Sequence, residues 1–150
     1  MSTLTRRTPL RRTPWLRALP EKPTKRKPRP KGPALDVVRL VVQRDGGCCV
    51  VCAFPVLDER GYGWSIHHRR GRDARPDSNR PQTLILVCGG SNVDGCHGRI
   101  HRSRREAEPY GWALTRHGNV NPLLVPCFVA ALDRSVYLTA AGTYADGVTQ

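Results

Sequence analysis

Four of the five histidines of this chain lie between residues 66 and 105. His67 and His68 are adjacent, and His97 and His101 are four positions apart. Two histidines with this spacing project from one face of a helix, where both imidazoles can bind a single metal ion. We expect His67 to reach the same ion from a strand, on which its neighbour His68 points the other way. The pattern predicts a metal site of three imidazoles, with His68 left as a general base.

Four of the six cysteines form two pairs that can bind zinc. Cys49 and Cys52 have the CxxC spacing that is typical of zinc sites, whereas Cys88 and Cys96 are separated by seven residues, three of them glycines. We expect these glycines to let the chain fold back, so that the four thiols bind one structural Zn²⁺. Buried cysteines without metal are the alternative, and Cys48 can substitute for Cys49.

The predicted zinc matters because the foldable part of the chain is short. A hairpin with one helix is marginally stable by itself, and a structural zinc contributes on the order of 10 kcal/mol to such a fold. Residues 1–33 contain no apolar leader sequence, so we expect a reducing compartment, in which clustered thiols bind metal more often than they form disulfides. We therefore predict that chelation unfolds the domain.

The net charge of +13 is concentrated in two parts of the chain. Residues 1–33 contain eleven Lys and Arg, one Glu and seven prolines, and are predicted to be a disordered basic arm that follows a phosphate backbone. A solubilising tail is the alternative. Residues 66–105 contain nine arginines and three acids, which favours nucleic acid as the partner. No apolar run approaches the length of a membrane span, which argues against a membrane partner.

Hydrophobic periodicity and turn residues predict an α+β fold. Residues 34–44 are predicted to form a helix, residues 48–57 a tight turn, and residues 63–68 a strand that ends with the paired histidines. A long loop leads to a buried strand at residues 84–87, and a second helix begins near residue 94 or 96 and continues through Arg105. Short strands are expected at residues 123–125, 128–130 and 136–138. The predicted organisation is a basic arm at 1–33, a domain at 34–112 and a C-terminal extension at 113–150.

Taken in order, these motifs resemble the HNH endonuclease family, in particular its zinc-stapled phage-encoded members. The resemblance covers about residues 40–112 and rests on these segments: Arg44-Asp45-Gly46-Gly47-x-Cys49-x-x-Cys52, Ile66-His67-His68, Leu84 to Cys88, Cys96-His97 and Tyr110-Gly111-Trp112. It implies a small ββα-metal core with a zinc knuckle of four cysteines. It also implies metal-dependent hydrolysis of phosphodiester bonds in double-stranded DNA.

The resemblance assigns roles to the histidines. His67 and His97 would bind the catalytic ion, and His68 would be the general base. His101 matches a further helix histidine of the colicin-type branch. Mg²⁺, Mn²⁺, Ni²⁺ and Zn²⁺ are all candidates for the ion.

The chain departs from the family pattern at the middle asparagine, which normally stands just before the second strand. Thr83 occupies that position here. Thr83 can orient the base through its hydroxyl, and Asn79, in the preceding loop, can orient the base or bind the ion. Both are therefore candidate catalytic residues.

The predicted site is surrounded by arginines that are expected to contact the DNA backbone: Arg69, Arg70, Arg72, Arg99 and Arg102. None of them belongs to a recognisable base-reading element, so weak sequence specificity is expected. The competing interpretation is a non-catalytic zinc-ribbon module that binds nucleic acid, and a zinc hydrolase for small substrates is less favoured. Family context suggests the cytoplasm of an infected bacterium, phage packaging proteins as partners, and a monomer or homodimer.

Overall fold

The computed structural model describes residues 32–56, 60–72, 75–115 and 120–148, and these residues form an α+β fold. Three helices and five short strands are present in the described part of the chain, and the strands form two antiparallel sheets. Apart from Gly32 and Pro33, the predicted basic arm lies outside the described residues. Among the helices that the structure describes, none has the length and apolar character needed to cross a bilayer.

The first helix, α1 (Leu35–Arg44), forms because its valines recur on one face. Val38 and Val41 are buried against the following hairpin. The chain leaves the helix through Gly46 and Gly47, whose φ angles of 61° and 65° are unfavourable for residues with a side chain. The helix predicted at residues 34–44 is confirmed, and its end directs the chain into the turn that carries the first two zinc-site cysteines.

A two-stranded antiparallel hairpin, β1 (Trp64–His68) and β2 (Leu84–Cys88), forms the centre of the fold. Side chains alternate between its two faces. On one face, Ile66 and Leu84 pack against α1. On the other face, Ile85 packs in a second cluster that includes residues of the next helix. The pleat therefore directs His67 towards that helix and His68, which pairs with Leu84, towards the α1 side.

The predicted second helix is divided into α2 (Gly95–Arg102) and α3 (Arg104–Ala107). Ser103, between them, has φ −121° and ψ 59°, which lies outside the helical region. The expectation of one continuous helix through Arg105 is therefore wrong. The change of direction lets Ala107 enter the core and lets the side chain of Arg104 donate to the carbonyl of Leu114.

The C-terminal residues form a three-stranded antiparallel sheet of β3 (Cys127–Val129), β4 (Arg134–Leu138) and β5 (Tyr144–Ala145). The strand predicted at residues 123–125 is wrong. Pro122–Leu124 is instead a 3-10 turn, in which the side chain of Asn121 accepts a hydrogen bond from the backbone of Leu123. The strands predicted at 128–130 and 136–138 lie within one or two residues of β3 and β4.

The C-terminal sheet shares its core with the hairpin. Cys127, Val129 and Val136 are buried in the same cluster as Val50 and Ile85. Burial of an aliphatic side chain such as that of Val129 or Val136 stabilises a fold by about 1.5–3 kcal/mol. The C-terminal strands therefore support the face of β2 that lies next to α2.

Candidate metal centres

Four cysteines meet at one end of the hairpin. Cys49 and Cys52 lie in the turn after α1, Cys88 ends β2, and Cys96 lies in the first turn of α2. Their four Sγ atoms lie within 4.8 Å of one another, and the Sγ atoms of Cys52 and Cys88 are 3.8 Å apart. Thiolates at about 2.3 Å from a tetrahedral zinc are about 3.8 Å from each other. This cluster, which we call the cysteine cluster, can therefore hold a metal ion and is compatible with a structural zinc.

The seven-residue interval between Cys88 and Cys96 is closed by a tightly packed turn. Gly89 and Gly95 have φ angles of 101° and 55°, which few residues with a side chain adopt. A Cβ atom on Gly89 would overlap the carbonyl oxygen of Asp94, and one on Gly95 would lie 2.7 Å from the carbonyl oxygen of Cys88. Only glycine permits this approach, which brings the last two thiols of the cluster together.

The buried thiols of the cysteine cluster resist ionisation. Burial raises the pKa of Cys49 to about 12 despite hydrogen bonds from nearby backbone groups, and burial also raises the pKa of Cys96. At Cys52, burial is outweighed by hydrogen bonds from the backbone of Phe54 and from neighbouring thiols, so its pKa is lowered. The backbone N–H of Cys96 also donates to Sγ of Cys88 over 3.4 Å. A cation among the sulfurs would offset the cost of ionising the buried thiols.

Three imidazoles meet where β1 ends beside α2. The ring centroids of His67, His97 and His101 are 4.9–5.3 Å apart, and their ligand nitrogens lie within 4.8 Å of one another. Nε2 of His97 and Nε2 of His101 are separated by 3.2 Å. We call these three residues the histidine cluster. The predicted trio is thus brought together, in an arrangement that can hold a metal ion.

His67 supplies the test of whether an ion fits this cluster. The residue is 1% exposed, and neither of its ring nitrogens has a hydrogen-bond partner among the described residues. A buried polar atom that lacks a partner costs about 1–3 kcal/mol. A cation held by the lone pair of one of these nitrogens would remove part of this cost, so the donor set fits a metal ion.

The protonation states of the cluster suit metal binding. Burial lowers the pKa of His67 well below its usual value, and the neighbouring His97 and His101 lower it further. Burial, followed by the charge of His101, lowers the pKa of His97 to about 4. Both imidazoles are therefore neutral near pH 7, which is the form that binds metals.

Ser65 contacts this cluster and is absent from the residues identified by sequence. Its hydroxyl donates to the carbonyl of Gly89 over 2.6 Å and lies 2.6 Å from Nδ1 of His97. Ser65 and His67 are two positions apart on β1 and so share a face of the hairpin. That period of two is the only sequence signal for Ser65.

His68 lies on the opposite face of β1 and contacts the loop between the strands. It is 6% exposed, and its Nε2 is 3.0 Å from Oδ1 of Asn79. The hydroxyl of Thr83 lies 2.7–2.9 Å from the backbone carbonyls of Asp77, Ser78 and Arg80. Of the two candidates, Asn79 thus contacts His68, whereas the hydroxyl of Thr83 donates within the loop.

The five arginines predicted to contact DNA fall into two groups. Arg69 is fully buried and donates to the carbonyls of Gly111 and Val125, over 2.6 and 2.9 Å. Arg70 is 4% exposed and forms an ion pair with Asp77. These two side chains are interior cross-links, and the expectation that they contact phosphate is corrected.

The remaining three arginines, Arg72, Arg99 and Arg102, are exposed. The guanidinium of Arg99 lies 5.7 Å from the centre of the Trp112 ring, and Arg102 donates to the carbonyl of Val93. Arg99 and Arg102 extend from α2, the same helix that carries two members of the histidine cluster. These cations are available to an anionic ligand.

Comparisons of the chain with protein-family models, with curated proteins and with solved structures found no match in any of the three. Function must therefore be inferred from the arrangement of the residues themselves. That arrangement consists of a cysteine cluster and a histidine cluster that can each hold a metal ion, with His68 on the opposite face of β1, in contact with Asn79 of the loop between the strands.

Proposed function

We propose that this protein is a metal-dependent DNA endonuclease with a ββα-metal site of the HNH type. The observation that carries the proposal is the convergence of three imidazoles around His67, whose two buried ring nitrogens have no hydrogen-bond partner among the described residues. The next residue of the same strand, His68, contacts the side-chain amide of Asn79. Strand β1 supplies one ligand and the candidate base, and helix α2 supplies the other two ligands. The hairpin and α2 would thus be the ββα unit.

The contact with Asn79 is compatible with the tautomer that His68 needs as a general base. If Nε2 of His68 carries the proton, it donates to Oδ1 of Asn79, and the lone pair lies on Nδ1. Nδ1 would then take a proton from the water that attacks the phosphorus atom. Asn79 would hold both the tautomer and the ring orientation during this transfer.

The ion at the histidine cluster would be held by His67, His97 and His101. When bound, it would neutralise charge that develops on a non-bridging phosphate oxygen and on the leaving 3′ oxygen. The exposed arginines would hold the flanking phosphates of double-stranded DNA. Because the contacts are to the backbone, the expected sequence specificity is weak.

A non-catalytic zinc-ribbon module explains less of the geometry. Such a module needs the cysteine cluster, but it gains nothing from a buried His67 whose two ring nitrogens find no partner in the described part of the chain. An apolar side chain at this position would stabilise the core without that cost. The imidazole at this position therefore favours a site that binds a metal ion, and thus the nuclease over the non-catalytic module.

The test is cleavage of a supercoiled plasmid by wild-type protein and by His68→Ala, with Mg²⁺, Mn²⁺, Ni²⁺ or Zn²⁺. We expect nicked or linear product from wild type and loss of cleavage in His68→Ala, because no group then accepts the proton of the attacking water. DNA affinity and the circular dichroism spectrum should stay unchanged in the variant.

His117→Ala is the matched control, since it removes the one histidine that has no proposed role. Cleavage by His68→Ala at the wild-type rate would remove His68 from the mechanism. DNA binding without cleavage by wild type under every ion would support the zinc-ribbon module instead.

A further inference from the structure

The hydroxyl of Ser65 lies between the His97 ring and the carbonyl of Gly89, at 2.6 Å from each. We propose that Ser65 is a positioning residue, which holds His97 in the tautomer whose Nε2 lone pair faces the histidine cluster. This inference rests on the proposed function, because that function places an ion at the cluster. It adds a residue that the HNH-type motifs do not contain.

The assignment follows from counting protons. A serine hydroxyl has one proton to donate, and Ser65 has two neighbours that can accept it. If the proton goes to the carbonyl of Gly89, then Nδ1 of His97 must carry its own proton and donate it to Oγ of Ser65. Nε2 of His97 is then a lone pair, as a metal ligand requires.

The opposite arrangement conflicts with ion binding. If Ser65 donated to Nδ1 of His97, the ring proton would lie on Nε2, which is 3.2 Å from Nε2 of His101. That proton would point at the place where the ligand nitrogens of the cluster converge. The carbonyl of Gly89 would also lose its donor from Ser65. When an ion is bound, these two hydrogen bonds can therefore form in only one direction: His97 donates to Ser65, and Ser65 donates to the carbonyl of Gly89.

The fold holds in place the carbonyl of Gly89, which accepts the proton of Ser65. The N–H of Gly89 donates to the carbonyl of Gly63 over 2.8 Å, and Gly89 follows Cys88 directly. The positive φ of Gly89 and its close approach to Asp94 leave its carbonyl little freedom. The turn that closes the cysteine cluster thus sets the direction in which Ser65 donates.

A purely structural Ser65 gives a different expectation. In that case the hydroxyl would only satisfy the carbonyl at the end of β2, and its removal would lower the stability of the hairpin. Neither the tautomer of His97 nor the affinity of the histidine cluster for an ion would depend on it. The tautomer of His97 and the metal affinity therefore distinguish a Ser65 that positions His97 from one that only stabilises the hairpin.

The experiment compares wild type, Ser65→Ala, Ser65→Thr and Ser135→Ala, each loaded with one equivalent of Zn²⁺ for the cysteine cluster. The tautomer of His97 is read from its side-chain ¹⁵N chemical shifts, and a second ion, Zn²⁺ or Co²⁺, is titrated by calorimetry. Removal of a side chain that orients a metal ligand typically lowers metal affinity about 10- to 100-fold.

We expect Ser65→Ala to lose affinity in this range and to populate the other tautomer of His97. Ser65→Thr should keep both properties because it keeps the hydroxyl, and Ser135→Ala, which removes an exposed hydroxyl on β4, should resemble wild type. Unchanged affinity and tautomer in Ser65→Ala would overturn the inference. Failure of wild type to bind a second ion would instead count against the proposed function, whatever the tautomer of His97.

Discussion

At the level of single residues, His67 is hard to reconcile with an ordinary core. It is almost fully buried, yet neither ring nitrogen has a partner among the described residues. Its pKa is lowered by burial and by two neighbouring imidazoles, so it stays neutral where an exposed histidine is charged. A buried neutral imidazole without hydrogen-bond partners destabilises a fold that holds no ion, but it is the form that binds a metal ion.

The lowered pKa of His67 predicts a pH dependence of stability. Below about pH 6.5 the unfolded chain protonates this histidine, whereas the folded protein does not. The stability associated with His67 is therefore complete above about pH 6.5 and is lost as the pH falls towards the lowered folded pKa. Without a second ion, the contribution of this residue to the free energy of unfolding should fall as the pH drops below about 6.5, by at most about 1.4 kcal/mol per pH unit. Urea denaturation of protein with zinc at the cysteine cluster measures this change.

His67→Phe separates this effect from the protonation of other groups. It keeps a ring in the core and removes the titrating nitrogens, so we expect a smaller loss of stability over the same pH range. Equal losses in wild type and His67→Phe would mean that His67 takes up its proton in the folded state as easily as in the unfolded state.

The residues of the site differ in how far sequence could reveal them. The spacing of His97 and His101 is sufficient to predict that their imidazoles meet, because helix geometry depends only on local sequence. The contact between His68 and Asn79 depends on the path of a loop without periodicity, so sequence left Thr83 and Asn79 as equal alternatives. Arg69 was misinterpreted because a charge count cannot distinguish a surface cation from one whose partners lie 42 and 56 residues away.

At the level of secondary-structure elements, the turn after α1 carries two thiols of the cysteine cluster, and the turn after β2 joins the other two. Both turns contain glycines with positive φ, and neither contributes a long hydrogen-bonded ladder. A metal bound by the cysteine cluster would close both turns and would replace contacts that short strands do not provide. The metal would therefore hold together the elements that carry the histidine cluster.

Removal of zinc should unfold the domain. Strong chelation, or the substitution Cys52→Ser, is expected to abolish the cooperative thermal transition, because the metal contributes on the order of 10 kcal/mol to folds of this kind. Circular dichroism reports the fold, and the absorption of Co²⁺ bound to thiolates reports the cluster.

Cys48→Ser is the control for this prediction, since its Sγ lies against the carbonyl of Gly46, outside the four thiols that meet. It should bind Co²⁺ and melt like wild type. Loss of Co²⁺ binding in Cys48→Ser, with retention in Cys49→Ser, would show that Cys48 is the ligand.

Elements were predicted well where a local pattern determines them and poorly where a tertiary contact does. The valine stripe of α1 and the apolar run of β2 identify their elements directly. The break at Ser103 depends on a distant contact of Arg104, and the turn at Pro122–Leu124 depends on the cap from Asn121. Strand β5 has two residues and no alternation that a sequence pattern could reveal.

At the level of the whole molecule, the charge of the chain is divided between interior and surface. Three arginines donate to carbonyls or carboxylates within the fold: Arg44, Arg69 and Arg70. The cations that can meet DNA are therefore fewer than the sequence suggests. Those on α2 lie on the helix that would bind the ion.

Arg102→Gln should weaken DNA binding without affecting the fold. Each phosphate contact contributes a slope of about −0.9 to the dependence of log K on log salt, so loss of one contact should reduce the slope by about that amount. Fluorescence anisotropy with a labelled duplex between about 50 and 200 mM salt measures this slope.

Arg134→Gln is the matched control, because Arg134 is an exposed arginine on β4, outside the proposed DNA surface. Its salt dependence should equal that of wild type. An equal reduction of the slope in both variants would show that Arg102 acts only through net charge.

One buried carboxylate joins the first helix, the hairpin and the last strand. Asp45 accepts hydrogen bonds from Arg44, from the backbone of Leu86 and, over 2.8 Å, from the hydroxyl of Tyr144, which lies 99 positions away. Of the groups that donate to Asp45, the hydroxyl of Tyr144 is the last to be synthesised. The carboxylate of Asp45 therefore gains its full set of partners only after the last strand has been synthesised.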